Sequence, residues 1–149
     1  TWTRNNRMSR TYRGFYEIKN LSKYIGSNKP YARSTWELAF MRFCDENTNV
    51  LHWGSETIKI PYLNPITHKY TVYVPDFFVV YVDKNGKQHA ELIEVKPKKE
   101  AALSEAKSVR DKIRLTINAA KWAAALEFCK KKGIFFRIVT EDDLFRKYK

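Results

Sequence analysis

Several of the features that most quickly place a protein in a class are scarce or missing in this chain. It has only two cysteines, Cys44 and Cys129. They lie too far apart to make a metal-binding pair by themselves, and so few fit a reduced, intracellular protein. Both fall on expected helices, where free thiols pack well. No apolar run approaches 18 residues and no signal peptide with an apolar centre is visible, so no membrane span is expected. A Gly-rich phosphate loop is absent, which argues against nucleotide hydrolysis or ATP-driven translocation. The three histidines, His52, His68 and His89, lack metal-ligand spacing and read as surface or turn residues. There is no internal repeat and no low-complexity tract. Acid is also scarce, with 16 Asp and Glu against 28 Lys and Arg, a formal net charge of +12.

What is present suits one folded domain. The 149 residues are 44% hydrophobic, enough to bury a core without disulfides or structural metals. A charge of this size points to a polyanionic partner. It is unevenly spread: net +7 over residues 1–33, −3 over 34–94 and +8 over 95–149. An acidic middle between basic ends suits an enzyme acting on a polyanion through a bound cation. Random clustering in a basic protein is the bland alternative.

Residues 1–33 show no sustained period of 2 or 3.6 and read as an irregular basic arm, docked through Trp2, Tyr12, Phe15, Tyr16 and Tyr24. Residues 34–149 form the second unit. Ser34 and Glu37 have the spacing of a capping box, followed by a helix to about Asn47 with Trp36, Ala39, Phe40, Phe43 and Cys44 on its apolar face. A strand is expected over Glu56–Tyr62, ended by Pro61, and a long one over Lys69–Val82, interrupted by Pro75. Asp83-Lys84-Asn85-Gly86 is a hairpin turn, and His89–Lys96 returns as a third strand. A helix is expected from about Ala101 to Lys132, with Gly133 as its cap, then a strand over Ile134–Val139 and a short helix capped by Thr140. The order predicts one mixed-sheet α/β domain.

Three acids sit where acids are expensive. Glu37 opens an apolar helix, Asp76 follows Pro75 in a strand, and Glu94 lies in Leu92-Ile93-Glu94-Val95-Lys96, with Glu94 and Lys96 on one face. If Asp76 and Glu94 converge, a cation between them would resolve the repulsion, and a hard divalent ion such as Mg²⁺ fits oxygen ligands. Lys96 would then stand beside the reacting centre. Each acid also has a plainer reading: Glu37 as a cap, Asp76 as a turn residue, Glu94 paired with Lys96.

Pro75-Asp76 and Glu94-Val95-Lys96, with Glu37 on the first helix, resemble the signature of the PD-(D/E)XK nuclease superfamily. The expected αβββαβ order agrees with its restriction-endonuclease-like core, a mixed central sheet flanked by helices. A closer resemblance, to the head-completion nucleases of T-even-type tailed phages, covers nearly the whole chain. It runs through Lys23-Tyr24, Arg33-Ser34, Trp36-Glu37, Trp53, Ile60-Pro61-Tyr62, Pro75-Asp76-Phe77, Ile93 to Pro97, Asn118, Lys121, Gly133 and Thr140-Glu141. TnsA-type transposon-end endonucleases are more distantly similar.

The resemblance implies a Mg²⁺-dependent DNA endonuclease, with Mn²⁺ substituting, that acts in phage head completion after or during packaging. It implies Asp76, Glu94, Glu37 and the Val95 carbonyl as metal ligands and Lys96 as the catalytic lysine. Arg33, Asn118 and Lys121 are expected on the DNA backbone, while Lys130-Lys131-Lys132 is either a DNA contact or a complement to the helix dipole. Expected partners are DNA and phage head or portal and neck proteins, in the host cytoplasm during assembly or in the virion, with no membrane or nucleotide cofactor. The rival readings are a non-enzymatic DNA-binding connector and a nuclease of the same fold specific for branched DNA.

Overall fold

The computed structural model describes residues 13–98 and 108–144. Its elements, in chain order, are β1 (Gly14–Phe15), a 3-10 turn (Leu21–Lys23), β2 (Tyr31–Ala32), α1 (Thr35–Glu46) and β3 (Val50–Ser55). Then follow β4 (Ile60–Leu63), β5 (Tyr70–Tyr73), β6 (Phe77–Val82), β7 (Gln88–Val95), α2 (Val109–Lys132) and β8 (Phe135–Val139). The central sheet has the order β3-β6-β7-β8, with β7 and β8 parallel and the other pairs antiparallel. The core therefore reads α1, β3, β6, β7, α2, β8, which is the expected αβββαβ order with its mixed sheet. No helix among the described residues is long and apolar enough to cross a membrane.

Helix α1 starts where its cap predicts: the Ser34 hydroxyl accepts from the Glu37 amide at 3.2 Å. Helix α2 is capped by Ser108, which accepts from the Asp111 amide at 3.1 Å, and ends at Gly133 with φ of 69°. Residues 101–107 of the expected long helix lie outside the described residues, as do Trp2 and Tyr12 of the arm.

Alternation along the strands seals the sheet on both faces. Phe77, Val79, Tyr81, Ile93 and Val95 point to the side of α1 and cluster with Phe40, Met41, Cys44, Trp53 and Leu144. Leu92 points the other way, to Ala125 and Cys129 of α2 and to Ile60, Tyr62 and Tyr73. Buried Tyr16 joins the first cluster, and Tyr24 meets Trp53 edge-on at 4.8 Å, so part of the basic arm packs on the core. Phe15 is largely exposed, against Tyr31.

Three expectations are corrected. The first core strand is Val50–Ser55 rather than Glu56–Tyr62; His52, Gly54 and Ser55 had blurred its pattern. Gly54 is required there, because a Cβ would fall 2.3 Å from Thr57 Oγ1 and 2.8 Å from the Ile25 carbonyl. The long strand Lys69–Val82 is two strands in different sheets. Glu56, at a φ of 55°, turns the chain out of the central sheet after β3, and Pro75 separates β5 from β6 on its return. Between them β4 and β5 form their own hairpin, which holds Pro61 inside an edge strand rather than at its end. Finally, residues 141–144 form a turn rather than the start of a helix, with the Asp143 amide bonded to the Thr140 carbonyl at 3.1 Å.

Candidate active site

One edge of the sheet gathers the chemistry. There β3 ends, β6 begins, β7 ends and α1 begins, which brings Glu56, Asp76, Glu94 and Glu37 to neighbouring positions. Asp76 is anchored by the Val95 amide, which donates to its Oδ2 at 2.7 Å. Its carbonyl accepts from the Glu56 amide at 3.0 Å.

The carboxyls of Asp76 and Glu94 lie within hydrogen-bonding reach of each other. Burial raises both above the ordinary carboxylate range, and for Glu94 the charge of Asp76 adds to it. They hold one proton between them more readily than two negative charges. Glu37 is raised too, first by burial, although the backbone amide of Arg33 pulls the other way; the charges of Asp76 and Glu56 add to the rise.

Cationic and aromatic groups border the acids. Arg33 pairs with Glu56 at 2.5 Å, and its charge is felt by Asp76 and Glu37. Lys96 is placed by its own amide, which donates to the Val139 carbonyl at 2.7 Å, and its ammonium sits 5.7 Å from the centre of the Trp122 ring. Among the described residues no ion pair joins it to Glu94, so the simple same-face pair is not formed. Lys121 stands 5.7 Å from the centre of the Tyr73 ring, close enough for its charge to favour ionised Glu94. The Tyr73 hydroxyl is buried beside Glu94 and the Trp122 indole, and its pKa is pushed well up, first by burial and then by the charge of Glu94.

The expected residues are thus brought together unequally. Asp76, Glu94 and Val95 meet directly, Glu37 and Arg33 stand within electrostatic range, Lys121 flanks Glu94 over the Tyr73 ring, and Lys96 rests over Trp122. Asn118 lies one helical turn before Lys121 and Trp122, half-buried, and among the described residues no contact ties it to the acid pair. Glu56, Tyr73 and Trp122 were not anticipated. The available signals were slight: Tyr73 stands three residues before Asp76, and Trp122 follows Lys121.

A further acid, Glu91, is fully buried on the opposite face of β7. It lies 3.3 Å from Arg137 of β8 and accepts from the Tyr81 hydroxyl at 3.4 Å. Its parity on the strand separates it from Glu94.

The all-oxygen donor set fits a hard divalent ion. Two buried carboxyls face each other with a charge conflict that such an ion would relieve, while Glu37 stands farther off. Among the described residues, no three His, Cys, Asp or Glu side chains are grouped closely enough to hold a metal together.

Comparison with known proteins identifies the family of this mixed αβββαβ domain. Residues 47–141 match the family described as TnsA-like endonuclease N terminal. The chain is also 38% identical over 144 residues to the head completion nuclease of Enterobacteria phage T4, covering 89% of this chain and 93% of that protein. The chain belongs to the TnsA-like endonuclease family and to the family of the head completion nucleases. TnsA-like endonuclease domains generally use divalent metals.

Proposed function

We propose that this protein is a Mg²⁺-dependent endonuclease of the PD-(D/E)XK type that cuts the DNA backbone during phage head completion. The name of its T4 relative supports the setting. The observation that carries the chemistry is the buried Asp76–Glu94 pair, with Lys96 two residues beyond Glu94 and its ammonium held over Trp122.

In this reading Asp76 and Glu94 hold the divalent ion, with the Val95 carbonyl and Glu37 completing its surroundings directly or through water. The bound ion would lower the pKa of a coordinated water and polarise a phosphoryl oxygen. Lys96 offsets negative charge at the phosphate, and Trp122 keeps its ammonium from swinging into solvent. Arg33 and Lys121, on either side of the acids, orient the DNA backbone, with Asn118 farther along α2. Backbone contacts of this kind carry little sequence information and weaken steeply with salt.

Purified protein should nick or cut plasmid DNA with Mg²⁺ or Mn²⁺ and not with EDTA. Cutting at the parent rate by Asp76→Ala or Lys96→Ala would remove the site assignment. Full head-completing activity in Asp76→Ala would favour a non-enzymatic connector.

A further inference from the structure

The β4–β5 hairpin has one face sealed and one face bare. In its register Ile60 lies opposite Tyr73 and Tyr62 opposite Thr71; Ile60, Tyr62 and Tyr73 are buried with Leu92, Ala125 and Cys129. The other two pairs are Pro61 opposite Val72 and Leu63 opposite Tyr70. Residues directly opposite one another share a face, so these four side chains form one outward patch. All four are exposed, Tyr70 at 80%, and Ile66 in the connecting turn is exposed as well. A water-facing hairpin normally alternates to polar residues on this side, and a contiguous apolar patch marks a contact surface.

We propose that this face packs against the bases of duplex DNA from the minor groove, next to the site of cleavage; the inference rests on the nuclease reading above. The hairpin is rooted at the acid pair, since Tyr73 of β5 stands beside Glu94 and the chain then runs through Val74 and Pro75 into Asp76. A duplex held at the acid pair and extending past β5 would run along the hairpin.

Charge selects the occupant. The stretch from Thr57 to Pro75 contains no Asp or Glu, although it sits inside the net-acidic part of the chain. It carries Lys59, His68 and Lys69, all exposed. An apolar ribbon with lysines at its margins suits a partner with an apolar interior and an anionic rim. Minor-groove proteins use this combination, wedging apolar side chains between base steps while cations meet the phosphates. A second copy seated symmetrically would bring equivalent lysines towards each other, which opposes self-pairing. Apolar contacts do not read a hydrogen-bond code, so the preference among duplexes should follow deformability and favour flexible TA and CA steps.

The test compares the full-length parent with a Leu63→Ser/Tyr70→Ser double variant and a Leu63→Val/Tyr70→Phe control. Both positions are exposed, and equal melting temperatures establish that all three fold. Binding is followed in EDTA by anisotropy on a short duplex carrying one 2-aminopurine, whose fluorescence rises on unstacking. The double variant should bind about tenfold or more weakly and lose the fluorescence rise, because the apolar wedge between base steps is gone. The control should retain both.

Parent-like affinity and fluorescence in the double variant, with a parent that cuts plasmid DNA, overturns this inference alone. So does a parent dimer that the double variant dissociates, or a variant that binds and cuts normally yet fails to complete heads. A parent that cuts no DNA with Mg²⁺ or Mn²⁺ overturns the nuclease reading and this inference with it.

Discussion

The Val95 amide reaches across from β7 to donate a 2.7 Å hydrogen bond to the Asp76 carboxylate, linking residues 19 apart in the chain. This bond holds Asp76 beside Glu94 and separates what its side chain does by charge from what it does by accepting. Asp76→Asn keeps an acceptor and removes a buried charge, so metal-free melting temperature should hold or rise, by about 2–4 °C per kcal/mol gained. Asp76→Ala leaves the amide without that partner and should be less stable than Asp76→Asn by about 1–3 kcal/mol. Plasmid cleavage should fall at least about a hundredfold in both, as when a group acting on transition-state charge is removed. Thermal melts beside nicking assays check this, and an Asn variant melting well below the parent would make the acids structural.

Divalent metal should stabilise the parent and not Asp76→Ala. A ligand that binds only the folded state adds RT ln(1 + [L]/Kd), or about 2.7 kcal/mol at a hundred times Kd. Melting curves with Mg²⁺, Mn²⁺ and EDTA measure it without DNA. An equal shift in both proteins would place the bound ion elsewhere.

The acid pair was legible because its chemistry is local. Pro75-Asp76 and Glu94-Val95-Lys96 each place an acid in an apolar strand, and Asp83 to Gly86 mark the turn that joins those strands. Ser34 and Gly133 marked helix ends through side-chain and backbone rules that need no tertiary context. Strand Val50–Ser55 was not legible, because Gly54 answers to Thr57 and the Ile25 carbonyl rather than to strand propensity. Tyr73 and Trp122 were not legible for a related reason: they come to the acids and Lys96 only when β5 and α2 are laid against β7.

Gly54 therefore gives a stability prediction. In Gly54→Ala the new methyl meets a hydroxyl oxygen and a backbone carbonyl at distances real side chains do not adopt. The strain should cost about 1–3 kcal/mol, and it should loosen the end of β3 that carries Glu56. Urea unfolding measures it; a loss under half a kcal/mol would mean that the Ile25 segment is free to shift.

Asp45 controls stability at low pH. It is almost fully buried and accepts from the Tyr16 hydroxyl at 2.6 Å and from the Lys19 and Asn20 amides at 2.8 and 3.0 Å. Burial alone would raise its pKa, but these bonds outweigh burial and hold it below the ordinary carboxylate range. An acid depressed by folding contributes stability above its unfolded pKa, near 3.9, and loses it as pH falls through the folded value. Asp45→Asn should lose about 1–3 kcal/mol at neutral pH, and the gap to the parent should narrow below about pH 3.5. Denaturant titrations at both pH values test the sign. A gap that widens in acid would contradict it.

Trp122 should act on the rate through Lys96. Its ring lies under the lysine ammonium at 5.7 Å and its indole is beside the Tyr73 hydroxyl, but it offers no group to a phosphate in the proposed chemistry. A cation–π contact of about 0.5–2 kcal/mol corresponds to a loss of up to roughly thirtyfold in single-turnover cleavage when Trp122 becomes Leu. Trp122→Phe keeps a π face and should recover part of the rate. DNA affinity should change little in either, because the backbone contacts are assigned to Arg33 and Lys121. A merely structural Trp122 would instead lower melting temperature and affinity together, with no rescue by Phe specific to the rate. The split between rate and affinity is therefore the measurement that assigns Trp122 to the positioning of Lys96.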